Sequence, residues 1–290
     1  MITVFTPAYN RGNLLPVLYK SLCSQTFKDF EWVIVDDGST DNTSKVVQGF
    51  LSAGLLRIKY YKQKNGGKHA AINRGVQEAS YEIFIIVDSD DYILNTSLER
   101  ISILFKQVEN DDTFAGIAGL MSYPTGRLIG SGLPFDKLAA SALDIRMKWK
   151  VSGDLCEVFK TKVLKEFPFP TFEDERFCPE ALVWNRIAQK YNLLYLNEVL
   201  YVRDYLDGGL TSKIVKIRMT NPKASLLHYS ELYKYRIPLI QKVKAGINFW
   251  RFAFSSKEKF LKKVRMIGWS SIFEVPFGFM FYLKDRLTVK

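Results

Sequence analysis

The first hundred residues alternate two hydrophobic periods, and that alternation restricts the fold more than any other feature. Short β-rich runs, "ITVFT", "FEWVIVD", "LLRIKYY" and "YEIFIIV", are separated by segments with helical spacing. In the first of these segments, "NLLPVLYKSLCSQ", Leu14, Leu18 and Leu22 recur four apart. Asn13 is placed to cap that helix, and Pro16 falls in its first turn, where a missing N–H costs little. A second helix follows "GSTDNT" and stops near Gly54, a third lies on "GKHAAINRGVQEA", and Thr96 with Glu99 forms a capping box for a fourth over "LERISILFKQV". Strand and helix in alternation imply an α/β fold with a mainly parallel sheet, right-handed crossovers and helices on both faces.

In such a sheet ligands bind beyond the carboxyl ends of the strands. The polar, glycine-bearing sequences sit at those ends: "TPAYNR" after the first strand, "DDGS" after the second, "NGGKH" after the third and "DSDD" after the fourth. The last is the most telling. An almost unbroken apolar run ends in Asp88, Asp90 and Asp91, and crowded, partly desolvated carboxylates resist ionising unless a cation or a hydrogen-bonding ligand is present. An extended chain sets Asp88 and Asp90 on one side, where their oxygens can converge on a hard ion such as Mg or Mn. A solvated acidic turn produces the same letters.

Asp36 or Asp37 in "VDDGST" can accept from a base N–H or a sugar hydroxyl, with Gly38 permitting a tight turn; the same letters serve as an Asx turn and helix cap. "NGGKHAAINRG" offers two glycines, Lys68 and a helix N-terminus that favours anions, but lacks the spacing of a Walker A loop. His69 is expected to cap the helix or face solvent. Further on, "FEDERFCPEALVWNRIAQKY" sets Glu173, Asp174, Glu175 and Glu180 ahead of an amphipathic helix, where an acid also complements the helix dipole without any active site.

Charge divides the chain. From Lys213 to Lys290 there are 17 Lys/Arg against 4 Asp/Glu, whereas the preceding 212 residues carry 24 against 26. The expected organisation is therefore an α/β domain over 1–212 and a basic, aromatic, helical extension over 213–290. Cys23, Cys156 and Cys178 are odd in number and lack zinc spacing, which fits reduced structural thiols in a cytosolic chain. The opening "MITVFTPAYN" has neither a basic n-region nor an apolar h-region, so no signal peptide is expected, and no apolar run is long enough for a transmembrane helix.

Taken in order, "TPAYNR", "SLCSQTFKDFEWVIVDDGSTDNT", "NGGKHAAINRG", "DSDD", "PEALVWNRIA" and "YLDGGLT" resemble a family-2 inverting glycosyltransferase of the GT-A fold, over roughly residues 1–212. The resemblance implies a Rossmann-like nucleotide-sugar-binding sheet and glycosyl transfer from a nucleotide-diphospho-sugar, commonly a UDP-sugar, to an acceptor hydroxyl. It implies base contacts from Thr6 and Asp37, nucleotide contact from Lys68, ribose or sugar contact from Asp88, and Mn or Mg on Asp90, with Asp91 the second-choice ligand. Pro7, Tyr9, Arg11, Asp36 and Asn73 fall in the same nucleotide-sugar-binding motifs. One position departs: where the family carries Glu-Asp at the start of a helix, with the Asp as general base, this chain reads Glu180-Ala181. Either Glu180 takes the proton, or a nearby acid such as Asp174 does, or the chain is catalytically weak. Glu180 is favoured, because it reaches one methylene further and a carboxylate at a helix N-terminus is readily kept ionised.

The resemblance further implies bacterial polysaccharide or cell-surface glycan assembly, with a glycan or lipid-linked acceptor. Two alternatives stand beside it: a nucleotidyltransferase, which would want more Arg and Lys after the first strand than the single Arg11, and a transferase-like binding domain without a base. The basic tail carries no helix-turn-helix, finger or RNP-like pattern, so no nucleic-acid partner is expected. Its Lys/Arg interleave with aromatics, an arrangement suited to an anionic membrane surface. Lys242, Lys244, Arg251, Lys257, Lys259, Lys262, Lys263 and Arg265 would face headgroups while Phe249, Trp250, Phe252 and Phe254 enter the interface. The expected location is cytoplasmic, peripheral at the inner membrane surface.

Overall fold

The computed structural model describes residues 1–203 and 213–288; the expected "YLDGGLT" loop with its Tyr205 lies outside them. The chain forms two compact units, Met1–Pro168 with Arg186–Leu206, and Phe169–Asn185 with Asp207–Lys290.

In the first unit the elements run β1 (Ile2–Ala8), α1 (Leu15–Cys23), β2 (Phe30–Asp36), α2 (Thr43–Ala53), β3 (Ile58–Lys62), α3 (Lys68–Glu78), β4 (Ile83–Ile86), α4 (Ser97–Phe105), β5 (Phe114–Ser122), β6 (Lys137–Ala140), α5 (Ala142–Met147), β7 (Leu155–Lys160) and α6 (Thr161–Glu166). Helix α7 (Glu180–Ile187) straddles the division, and β8 (Asn192–Val202) returns to the first unit. The eight strands form one sheet in the order β3-β2-β1-β4-β7-β5-β8-β6. Strands β3, β2, β1 and β4 are parallel, as the alternation implies. β7 interrupts that parallel run, antiparallel to both β4 and β5; beyond it β5 and β8 pair in parallel, and β6 lies antiparallel to β8.

Register decides where the loops gather. Ala8 pairs with Asp36, Asp36 with Lys62, and Phe5 with Ile86, so the four parallel strands end at one edge of the sheet. β1 and β2 are buried along almost their whole length, which explains their unbroken apolar sequence. Trp32 is fully buried, and its indole N–H donates to Thr6 Oγ1 at 2.9 Å. Helix α1 buries Leu15, Leu18 and Leu22, each contributing about 2 kcal/mol. Leu14 is its N-cap residue and Asn13 does not cap it, while Pro16 lies in the first turn as expected. The Thr96–Glu99 capping box does not form either: Glu99 accepts from Thr26 Oγ1 at 2.8 Å instead. Helix α3 lies close over β1, because a Cβ at Gly75 would meet the Phe5 ring at 2.1 Å.

The second unit contains α8 (Ile214–Thr220), α9 (Pro222–Lys234), α10 (Leu239–Ala253), α11 (Phe260–Ile267), a 3-10 segment (Trp269–Glu274) and α12 (Val275–Thr288). It has its own core of Leu226, Phe249, Trp250, Ala253, Val264 and Ile267. This corrects the expectation for the tail: Phe249, Trp250 and Phe252 are at most 1% exposed, and Phe254 packs edge-on against Phe279. Helical periodicity marks an apolar stripe but not the partner that covers it. Nor is Arg251 available to a headgroup, since it forms a two-pronged ion pair with Asp285.

Candidate active site

The loops after β1 and β2 are tied to each other by short polar bonds. Asn10, at φ 55°, receives the Thr40 N–H on its Oδ1 at 2.9 Å and donates its own N–H to Ser39 Oγ. The Arg11 N–H donates to Thr43 Oγ1 at 2.9 Å, and the Gly12 N–H to Asp41 Oδ2 at 3.1 Å. Within this loop Pro7 and Arg11 are half-buried, and Tyr9 is exposed.

Asp36 and Asp37 do different work from that expected of them. Asp36 is fully buried and accepts from the Ser39 N–H at 2.7 Å and the Tyr60 hydroxyl at 2.6 Å. Burial and the neighbouring Asp36 push the Tyr60 phenol up to about 12, so it stays a donor. Asp37, also buried, accepts from Gln63 Nε2 at 2.8 Å and from the Gly66 and Gly67 N–H groups at 2.9 and 2.7 Å. Asp36 thus holds the turn after β2 and the Tyr60 side chain, and Asp37 shapes the "NGGKH" loop. Gly67 enters α3 at φ 91°, a conformation a side chain would strain. Thr6 is likewise fully buried under the Trp32 indole rather than presented to a ligand.

Asp37 therefore fixes the backbone that carries Lys68, the first residue of α3. The Lys68 ammonium lies 2.7 and 2.9 Å from the two oxygens of Asp88, both side chains being about a third exposed or less. One turn further along α3, Asn73 is half-buried. His69 is neither a cap nor solvent-facing: it is 2% exposed, and burial pushes its pKa down against the opposing pull of Asp37.

The acids of "DSDD" do converge, though not by strand alternation. β4 ends at Ile86, and the chain then turns, the Asp91 N–H donating to the Asp88 carbonyl at 3.1 Å. The turn brings in Asp91 as well, so that ligand atoms of Asp88, Asp90 and Asp91 all lie within 4.8 Å of one another. Tyr201, at the end of β8, organises them: its hydroxyl donates to Asp91 Oδ2 at 2.7 Å and accepts the Asp88 N–H at 2.9 Å. Burial and the two acids raise the Tyr201 phenol far above its ordinary pKa, keeping it protonated. An all-carboxylate set of this kind suits a hard divalent cation such as Mg or Mn. Tyr201 escapes a sequence reading because "LYV" at a strand end carries no local signal.

The two candidate bases lie on the segment grouped with the second unit. Glu180 opens α7 and is half-buried, followed by exposed Ala181. Asp174 is exposed and ion-paired with Lys223, which holds its carboxyl below the usual range. Its neighbour Glu175 is buried and caps α9, accepting from the Lys223 and Ala224 N–H groups at 2.7 and 3.0 Å.

Comparison with known proteins agrees with this architecture. The sequence profile of glycosyl transferase family 2 matches residues 3–119. Glycosyltransferase GlyG of Streptococcus pneumoniae serotype 4 is 27% identical over 222 residues, which span 72% of each chain. The GalNAc(5)-diNAcBac-PP-undecaprenol beta-1,3-glucosyltransferase of Campylobacter jejuni is 32% identical over 189 residues, 63% of this chain and 58% of that enzyme. Among solved structures, S. aureus TarS 1-349 in complex with UDP-GlcNAc superposes with a TM-score of 0.66 at 19% identity, covering 99% of this chain and 90% of that one. The fold is accordingly GT-A, and with its strand-end loops and matched profile the chain belongs to glycosyl transferase family 2.

Proposed function

We propose that the protein transfers a sugar, with inversion, from a nucleotide-diphospho-sugar, chiefly a UDP-sugar, to an acceptor hydroxyl in cell-surface glycan assembly. The observation that carries this reading is the convergence of Lys68, Asp88, Asp90 and Asp91 beyond the ends of the parallel strands. Donor binding falls to Pro7, Tyr9 and Arg11 at the end of β1 and in the loop after it, and to Lys68 and Asn73 of α3, with Asp88 toward the ribose or sugar. Asp37 acts from beneath by fixing the loop that leads into α3, Asp36 by holding the turn after β2, and Thr6 by tying β1 to β2 through Trp32. Bound at Asp90 and Asp91 beside Asp88, a Mg or Mn ion would supply charge stabilisation to the departing diphosphate. Glu180 takes the proton of the acceptor hydroxyl as its oxygen bonds to the anomeric carbon and the bond to the diphosphate oxygen breaks. The TarS neighbour, solved with UDP-GlcNAc, supports a UDP donor, and the Campylobacter relative, named for an undecaprenol-diphosphate acceptor, supports a lipid-linked one. Such an acceptor is presented at an anionic cytoplasmic membrane surface, and we place the enzyme there peripherally.

A donor panel tests this. UDP-, GDP- and dTDP-sugars are incubated with the protein with and without Mn, and released nucleotide is measured. The expected result is release from UDP-sugars that a chelator abolishes; no release from any donor would reduce the chain to a nucleotide-sugar-binding domain.

A further inference from the structure

The aromatics of α10 are core, yet another face of the second unit is apolar and uncovered. Trp269 is 65% exposed, Phe273 82% and Leu287 78%, and Phe277, Met280 and Leu283 are exposed with them. Phe273, Phe277, Met280 and Leu287 fall on one side of the 3-10 segment and α12 at helical spacing, with Lys284 on the same side between Met280 and Leu287. The opposite side of α12 is fixed: Gly278 packs so closely that a Cβ there would meet the Trp250 Cβ at 2.5 Å, and Asp285 is held by Arg251. The helix therefore has no freedom to roll its apolar stripe inward. A contiguous apolar face of this kind on a folded unit marks an interaction surface.

Charge around the face identifies the partner. From Lys257 to Thr288 the acids are withdrawn: Glu274 and Asp285 are buried, and Glu258 is paired with Lys262. Lys257, Lys259, Arg265, Lys284 and Arg286 remain exposed. The stripe is thus fringed by positive charge, which attracts an anionic lipid surface. Two such faces docking about a two-fold axis would instead bring like charges together. Length sets the depth. Among the described residues no single helix is long and apolar enough to cross a membrane, and α12, with 14 residues, spans about 21 Å against a hydrocarbon core of about 30 Å. The pair Phe260–Ile267 and Trp269–Thr288 has the composition of a membrane-embedded segment but bends by 116° at Gly268.

We infer that the bent segment from α11 to α12 is the membrane-contact surface, seating Trp269, Phe273, Phe277 and Met280 shallowly in one leaflet while the surrounding lysines and arginines engage anionic headgroups. This rests on the reading of peripheral attachment given above and changes its site from α10 to α12. The test is co-sedimentation of the full chain with phosphatidylcholine vesicles, with and without phosphatidylglycerol, at low and high salt. Wild type should bind the anionic vesicles at low salt, and brominated lipid should quench a fluorescence component that Trp269→Phe removes. Phe273→Ser/Phe277→Ser should weaken binding at least tenfold with its thermal melt and nucleotide release unchanged. Lys284→Glu/Arg286→Glu should lose the salt-sensitive part of binding. If the double serine variant binds like wild type, attachment stands but this surface is wrong. If wild type binds no vesicles and sediments as a dimer that the serine variant dissociates, the face is a contact between copies, and the attachment reading falls with it while glycosyl transfer is untouched.

Discussion

The hydroxyl of Tyr201 donates to Asp91 Oδ2 at 2.7 Å, linking the last residues of β8 to the acid cluster after β4. The same oxygen accepts the Asp88 N–H at 2.9 Å, so one phenol fixes both ends of the turn that carries the candidate metal ligands. Replacing it by Tyr201→Phe leaves a buried carboxylate and a backbone N–H without this partner, at a cost of about 1–3 kcal/mol. Urea unfolding should report that loss. Metal titration of nucleotide release should show weaker metal dependence, with a higher half-saturating concentration than wild type; an unchanged metal profile would make Tyr201 a purely structural residue.

Asp90, like Asp88, is half-buried, whereas Asp91 is buried. Asp90→Ala should abolish transfer while leaving the melt within about 0.5 kcal/mol of wild type, the span usual for substitutions away from core features. Isothermal titration of Mn into the variant should show the metal site lost. Full activity of Asp90→Ala in the presence of a chelator would exclude the metal role.

Glu180 opens α7, whereas Asp174 is an exposed partner of Lys223. Glu180→Gln should keep donor affinity and lower turnover by about two to four orders of magnitude, the span for loss of a general base. Asp174→Asn should change turnover little. The reverse pattern, measured as kcat and donor Kd for both variants, would transfer the role to Asp174.

Both histidines of the chain, His69 and His228, are buried. Burial pushes His228 down to about 3, assisted by the Arg218 charge, and lowers His69 as well. In the unfolded chain each protonates near pH 6.5. Between these values the unfolded state binds protons that the folded state refuses, so stability falls as pH drops below about 6.5 and is full above it. His228 alone should remove about 2 kcal/mol between pH 7 and pH 5. Chemical unfolding at the two pH values should show that loss, and His228→Gln should flatten most of it. A variant with the wild-type pH slope would assign the acid sensitivity elsewhere.

The parallel half of the sheet and the loops at its carboxyl edge were determined by the sequence itself, because strands buried on both faces read as short apolar runs and their crossovers read as helices. The same local logic put "DSDD" and "NGGKH" at one edge of the sheet, and in the fold Lys68 reaches Asp88. What local pattern leaves open is the partner of each polar group. Asp36 and Asp37 look like ligand acceptors until their loops close on them, and Tyr201 lies 110 residues beyond the carboxylate it holds. Helix periodicity showed that the tail has apolar faces, but α9, α11 and the 3-10 segment cover the Phe249 and Trp250 side of α10 and leave Phe273 and Phe277 bare. Which face is buried is a property of contacts between elements, so the tertiary structure alone decided it.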